Sequence, residues 1–173
     1  MEAGMWKFNI KQDSIETPRE IVANQCKELS NLTKGKVIAR ITEYEGEYRS
    51  YSTMSSMKLM SETTLDMMMG KSFDVQEVLG EESEDEQIVY EFYLTANNTP
   101  KYKYRIFFLY HGIMFYPVGI SLEKGIAKEL GLETEFLLNT QEDFKECLAQ
   151  ILGSNKVALI IQNLYKMSSS IEF

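Results

Sequence analysis

The sequence predicts a single α+β domain over residues 1–173, with a mainly antiparallel sheet of five to six strands. An N-terminal helix and a C-terminal helical pair are expected to pack on one face of that sheet. Three observations lead to this prediction: a helix-capping motif near the N-terminus, consecutive β-prone segments in the middle of the chain, and two apolar stripes at helical spacing near its end. A chain of this length can bury a core of its own. Residues 1–4 and 168–173 are expected to fray.

The capping motif begins at Thr17 and continues with Pro18, Arg19 and Glu20. Threonine is favoured at the N-cap and proline at the first helical position, and a glutamate three residues after the cap can bond back to it. We therefore predict a helix that starts at Pro18 and ends before Gly35. Its apolar positions are Ile21, Val22, Cys26, Leu29 and Leu32.

The first β-prone segments follow this helix. Residues 36–45 and 48–54 are predicted to be strands joined at Gly46, and residues 73–78 to be a further strand. A short helix over residues 62–69 is predicted between them. Residues 87–120 then read as a meander of three strands, which are 87–95, 101–110 and 113–120.

The connection before the last strand of the meander contains His111, the only histidine of the chain, followed by Gly112. A tight hairpin turn often requires positive φ, which histidine tolerates better than most residues. We therefore assign His111 to the turn. The competing interpretation makes it a general base for a serine, Ser121 being the nearest, but no nucleophile motif accompanies it.

The C-terminal third is predicted to be helical. Ser121 is expected to cap a short helix that reaches Leu130, and Thr140 with Asp143 three residues later begins another. Gly153 separates that helix from the last one. The apolar stripe of the first of the pair is Phe144, Cys147, Leu148, Ile151 and Leu152. The stripe of the second is Val157, Ile160, Ile161, Leu164 and Tyr165.

Composition excludes several classes of protein. No apolar run approaches the ~18 residues of a membrane span, and no secretory signal is recognisable at the N-terminus. Cys26 and Cys147 occupy apolar helical positions, as reduced core residues of a cytoplasmic protein do. No G-x-S-x-G motif, phosphate-binding loop or Cys/His ligand spacing occurs. We therefore predict no catalytic residue, no cofactor and no metal, and favour a binding protein over an enzyme.

Basic and aromatic residues alternate over residues 101–105, which is the feature closest to a nucleic-acid platform. In a strand this alternation puts the basic side chains on one face and the two tyrosines on the other. A single-strand platform needs both on one surface. A half-buried strand, whose basic face is solvated or paired with a glutamate such as Glu91, fits better, and we predict no nucleic-acid partner.

The negative charge is concentrated in one place. The chain has a net charge of −8, and five acids of a single short run account for most of it: Glu81, Glu82, Glu84, Asp85 and Glu86. This run is either a solvated loop or a patch that steers the protein towards a basic surface. Methionines recur in the segment before it, at Met54, Met57 and Met60. They either fill the core or form an adaptable binding surface.

These observations predict a cytoplasmic domain that binds another protein with a basic surface. The sharper hypothesis is an inhibitor or neutraliser, such as an immunity protein, an antitoxin or an inhibitor of a nucleic-acid enzyme. The protein-binding residues would be those of the acidic run together with Met54, Met57 and Met60. One alternative is a secretion-type chaperone, and another is a small hydrolase or ligand-binding domain with a pocket over the sheet. No membrane partner is predicted, and the sequence leaves the oligomeric state open.

Overall fold

The computed structural model describes residues 15–46 and 87–169, together with Met5. In this part of the chain five strands form one antiparallel sheet in sequence order, and the helices lie on one side of it. The strands are β1 (Val37–Glu43), β2 (Ile88–Ala96), β3 (Thr99–His111), β4 (Val118–Leu122) and β5 (Glu135–Leu138). The helices are α1 (Pro18–Leu32), α2 (Lys124–Leu130), α3 (Gln141–Leu152) and α4 (Asn155–Ser169). The predicted α+β class is confirmed.

Helix α1 begins as the capping motif predicts. The Thr17 hydroxyl accepts the Glu20 amide at 3.2 Å, and the Glu20 carboxylate accepts the Thr17 amide at 2.9 Å. Two backbone donors of the first turn are therefore satisfied by side chains. The chain leaves the helix through Gly35, whose φ of +75° is accessible to glycine at little cost. The stretch from Thr17 to Gly35 thus forms a capped helix and the turn that leads into β1.

The core lies between the sheet and the helices. At its centre the rings of Phe92 and Phe107, on neighbouring strands, stack with centroids 4.8 Å apart. Phe144 from α3 and Leu164 from α4 are fully buried against the same cluster. Phe144 and Leu164 belong to the apolar stripes predicted for the two helices, so the predicted packing of the C-terminal pair on the sheet is confirmed.

A bulge in β3 determines which residues occupy the other side of the sheet. Phe107 pairs with Phe92, but Arg105 pairs with Tyr93, so Ile106 is an extra residue. Both Ile106 and Phe107 are buried in the core. The opposite surface, which we call the distal face, carries Arg40, Thr42, Glu91, Tyr93, Lys103, Arg105 and Phe108.

Two predictions for residues 121–138 are wrong. Ser121 does not cap a helix but lies in β4, opposite Phe108. The cap of α2 is Glu123, whose carboxylate accepts the Ile126 amide at 2.9 Å. The C-terminal third is predicted to be helical, yet it also contains β5, which pairs with β4 through backbone bonds that place Leu138 opposite Val118. A strand this short at the sheet edge has too few residues to show alternation.

The C-terminal pair follows the predicted pattern more closely. The Thr140 hydroxyl accepts the Asp143 amide at 3.1 Å, and α3 ends at Gly153. Helix α4 runs to Ser169, and the buried Ser168 hydroxyl donates to Asn97 at 2.7 Å. The helix therefore extends into the stretch that was expected to fray. The predicted strands 48–54 and 73–78 and the predicted helix 62–69 lie outside the described residues.

An ion pair joins α2 to α4. The Lys156 ammonium donates to Glu123 at 2.8 Å, and Gly125 leaves the space in which that ammonium sits. Burial favours a higher pKa for Glu123, but the bonds from Lys156 and from the amides of Ile126 and Gly125 outweigh it and hold the pKa below its ordinary value. The bond to Glu123 in turn raises the pKa of Lys156.

We expect Lys156→Met to destabilise the fold in a pH-dependent way. Because the pKa of Glu123 is lowered in the folded state, its ionised form stabilises the fold above the unfolded pKa, and the contribution is lost as the pH falls through the folded pKa. The difference in free energy of unfolding between wild type and variant should therefore shrink from neutral pH into acid, which urea unfolding at several pH values measures. Lys128→Met, at an exposed position of α2, is the control and should show no such shrinkage. A difference that stays constant with pH would contradict the assignment.

Candidate functional site

The residues that the sequence assigned to partner binding lie outside the described part of the chain. They are Glu81, Glu82, Glu84, Asp85, Glu86, Met54, Met57 and Met60. Their role therefore stays a prediction. What the structure does describe is where the acidic run joins the sheet: the chain enters at Gln87, immediately before Ile88, the first residue of β2.

The prediction that His111 forms a tight turn is wrong. His111 is the last residue of β3, pairs with Ile88 and is buried. Among the described residues, positive φ outside glycine occurs at Lys34 and at Phe115, where φ is 65°. The strand continues through His111 because its side chain is in phase with Phe107 and Leu109 and points towards the core side. The connection to β4 is residues 112–117, with a cis peptide bond between Tyr116 and Pro117.

The surroundings of His111 are apolar. Its ring lies 5.8 Å from the Tyr90 ring and 5.5 Å from the Phe115 ring, measured between centroids. Nδ1 is 2.7 Å from the Gly112 carbonyl oxygen, which orients the imidazole. The side chain is therefore held by neighbouring rings and backbone. Among the described residues neither a serine nor a carboxylate contacts it, and nothing in this geometry favours a general base.

Beyond His111, three consecutive large apolar side chains are exposed. Ile113 is 82% exposed and Met114 is 75% exposed, and Phe115 follows them. We call these three residues the apolar loop. A bulky residue with positive φ is uncommon, and such conformations persist where the surrounding structure holds them. Here the loop is held between two strands of the sheet, so its tip is presented from a rigid base.

Carboxylates gather at the same end of the sheet. Glu16 precedes α1, and its carbonyl accepts the Tyr116 hydroxyl at 3.5 Å. Burial, followed by the charges of Glu142 and Glu16, raises the pKa of Tyr116 to about 12. Glu43 at the end of β1 lies opposite Tyr90 and is exposed. We call this region the acidic–apolar end, and define it by Glu16, Glu43, Ile88, Glu142 and the apolar loop.

The distal face carries a second polar cluster, centred on Glu91. The Glu91 side chain is only 5% exposed, and its carboxylate accepts Arg105 at 3.0 Å and Lys103 at 3.4 Å. The expected pairing of the basic strand with Glu91 is confirmed. A buried carboxylate without partners destabilises a fold. The first role of these two cations is therefore to compensate the buried charge of Glu91.

Sequence reasoning missed the aromatic residues of this cluster. The Lys103 ammonium lies 4.5 Å from the Tyr93 ring centroid, and the Arg105 guanidinium 4.3 Å from that of Phe108. The tyrosines at 102 and 104 were expected on the other face, but β2 supplies Tyr93 to the basic face, and the bulge in β3 places Phe108 of the same strand there. Neither the register nor the bulge could be read from residues 101–105 alone.

A groove of about 300 Å³ lies between α1 and α3. Its floor is apolar, and Asn24, Gln25 and an ion pair of Glu16 with Lys145, 3.6 Å apart, form its rim. It lies between two helices rather than over the sheet, and His111 is not among its lining residues. The hydrolase alternative, which needs a pocket next to His111, gains no support from this groove.

The cysteines are free, as predicted. Cys147 is buried and Cys26 partly so, and burial raises the pKa of Cys26 to about 11. Both are therefore protonated near neutral pH, the inert form of a thiol.

Within residues 15–46 and 87–169, no three His, Cys, Asp or Glu side chains are grouped as metal ligands would be. In the same part of the chain no helix has the length and apolarity to cross a membrane.

Comparison with family models, with curated proteins and with solved structures finds no match to this chain.

Proposed function

We propose that this protein binds another protein through its acidic–apolar end, and that it acts as an inhibitor or neutraliser of a partner with a basic surface. One observation carries the proposal. Ile88 and His111 are register partners, so the strand that the acidic run leads into lies beside the strand that leads into the apolar loop. A charged segment and an exposed apolar tip are thus attached to adjacent strands at one end of the sheet.

This combination has the composition of a protein interface. Apolar anchors at the centre contribute most of the affinity, and charged groups around them raise the association rate and select the partner. The apolar loop is attached to a regular sheet, so little conformational freedom is lost when it is buried. Glu43 and Glu142, both exposed, add negative charge at this end, whereas Glu16 is paired with Lys145. A basic cleft with an apolar recess is the surface that this end would complement.

We expect the two parts of the interface to act on different rate constants. After the partner is captured from the native host and identified, its binding to wild type is compared with that of Glu84→Gln/Asp85→Asn/Glu86→Gln and of Met114→Ser. The acidic variant should associate about tenfold more slowly at low ionic strength and lose most of its salt dependence. Met114→Ser should associate normally and dissociate about tenfold faster, because it loses an apolar anchor. Surface plasmon resonance at several salt concentrations measures both rates.

Matched control variants test whether an effect depends on where the charge or the apolar side chain lies, rather than on its removal alone. Glu28→Gln/Glu133→Gln removes negative charge from exposed positions away from the acidic–apolar end, and Leu159→Ser removes an exposed apolar side chain from α4. Both controls should bind like wild type. If the acidic variant and its control have equal association rates, the acidic run is not the recognition element. If Met114→Ser leaves dissociation unchanged, the apolar loop is not an anchor.

A further inference from the structure

The distal face carries cations whose hydrogen-bonding capacity exceeds what the fold uses. Arg40 is the register partner of Tyr93, and Tyr93 of Arg105, so the three form one row across β1, β2 and β3. Lys103 lies on the same face, two residues before Arg105. The side chains of Lys103 and Arg105 are 52% and 46% exposed, and Arg40 is exposed too.

Lys103 and Arg105, the two cations on β3, are held in position by the side chains that lie between them and the sheet. Lys103 lies over Tyr93, and Arg105 lies over Phe108 with one nitrogen on the Glu91 carboxylate. Their side chains have already lost the rotamer freedom that a flexible surface lysine or arginine would lose on binding. A ligand that meets these groups therefore gains contacts without the usual ordering cost.

Most of the hydrogen-bond donors on Arg40, Lys103 and Arg105 contact no carboxylate among the described residues. An ammonium has three donors and a guanidinium five, whereas Glu91 accepts one contact from Lys103 and one from Arg105. Arg40 has no ionic partner among the described residues. Arg40, Lys103 and Arg105 outnumber Glu91, the carboxylate that two of them bind, which leaves a local excess of positive charge on a chain whose net charge is −8.

We propose that the distal face is a second docking surface, on which Arg40, Lys103 and Arg105 bind the carboxylates of an extended acidic segment of another protein. Side chains two residues apart on a strand repeat at about 6.8 Å, both for Lys103 and Arg105 and for alternate residues of an extended ligand. Carboxylates at alternate positions of such a segment therefore match the two cations of β3, with Arg40 beside them. This inference does not depend on the acidic–apolar end.

A single-stranded nucleic acid fits this surface less well. Bases need open aromatic faces for stacking, but Tyr93 is buried beneath Lys103, and the Phe108 ring has the Arg105 guanidinium over it. The net charge of the chain also repels a long polyanion more strongly than it repels a short peptide. An acidic peptide is therefore the occupant that the geometry favours.

The test uses a fluorescent peptide in which glutamate alternates with threonine, added to the full-length protein at low ionic strength. Fluorescence anisotropy should show saturable binding that weakens about tenfold in Arg40→Gln/Lys103→Gln, because two ion pairs are lost. Arg105 is kept because it holds Glu91. The control Lys27→Gln/Lys128→Gln makes the same change of net charge at exposed positions on the helix side and should bind the peptide like wild type.

Three results would overturn the proposal: no saturable binding of the peptide, equal loss in the two double variants, or tighter binding of an oligothymidylate of equal charge than of the peptide. A peptide of the same composition with its glutamates in one contiguous block tests the spacing argument. We expect it to bind more weakly than the alternating peptide, and equal binding of the two would contradict the strand-like mode of docking.

Discussion

Gly119→Ala should be among the most destabilising single substitutions in the sheet, lowering the free energy of unfolding by about 3 kcal/mol. Gly119 in β4 is the register partner of Tyr110 in β3, and the Tyr110 ring lies directly over it. A Cβ atom at Gly119 would overlap three ring carbons. The ring is buried and donates through its hydroxyl to Glu135 at 3.1 Å, so it cannot move aside without losing packing and a hydrogen bond.

A double-mutant cycle separates this overlap from the intrinsic effect of alanine in a strand. With Tyr110→Ala already in place, the added Cβ meets no ring, and Gly119→Ala should then cost less than about 1 kcal/mol. Urea unfolding of the four proteins gives the coupling energy. Equal costs of Gly119→Ala with and without the tyrosine ring would contradict the role assigned to Tyr110. Tyr110→Phe, which keeps the ring but not the hydroxyl, isolates the bond to Glu135.

The elements that could be predicted from sequence are those whose signals are local. The capping box at Thr17 and the cap at Thr140 are set by side chains within one helical turn, and both are present as expected. The pairing of Glu91 with the basic strand was also predictable, because a carboxylate on a neighbouring strand is the simplest partner for alternating cations.

The features that could not be predicted depend on register or on competition between similar local signals. His111 followed by Gly112 has the residue types of a tight turn, yet the core packing of His111 extends β3 and moves the positive φ to Phe115. Glu123 rather than Ser121 caps α2, because Ser121 is needed in the strand opposite Phe108. The aromatic content of the distal face depends on the bulge at Ile106, which no pattern in one strand specifies.

The Glu91 cluster consists of Glu91, Lys103 and Arg105. The loss of free energy of unfolding should differ between removal of the cations and removal of the carboxylate. In Lys103→Met/Arg105→Met the carboxylate, 5% exposed, is left buried without a cation, and we expect a loss of about 3 kcal/mol in the free energy of unfolding. In Glu91→Gln the two cations are left instead, but both are about half exposed and can be solvated. We therefore expect this variant to lose only about 1 kcal/mol.

The variant that removes all three charges provides the decisive comparison. Glu91→Leu/Lys103→Met/Arg105→Met leaves no unpaired charge and keeps apolar side chains of similar length over Tyr93 and Phe108. Replacement of a whole buried ion pair by apolar groups is often neutral, so its stability in urea should lie closer to wild type than that of the variant lacking only the cations. If the triple variant is the least stable of the series, the cluster stabilises the sheet directly. If it recovers as expected, the cations of the distal face serve the fold mainly by compensating Glu91, and the binding capacity they retain is separable from stability.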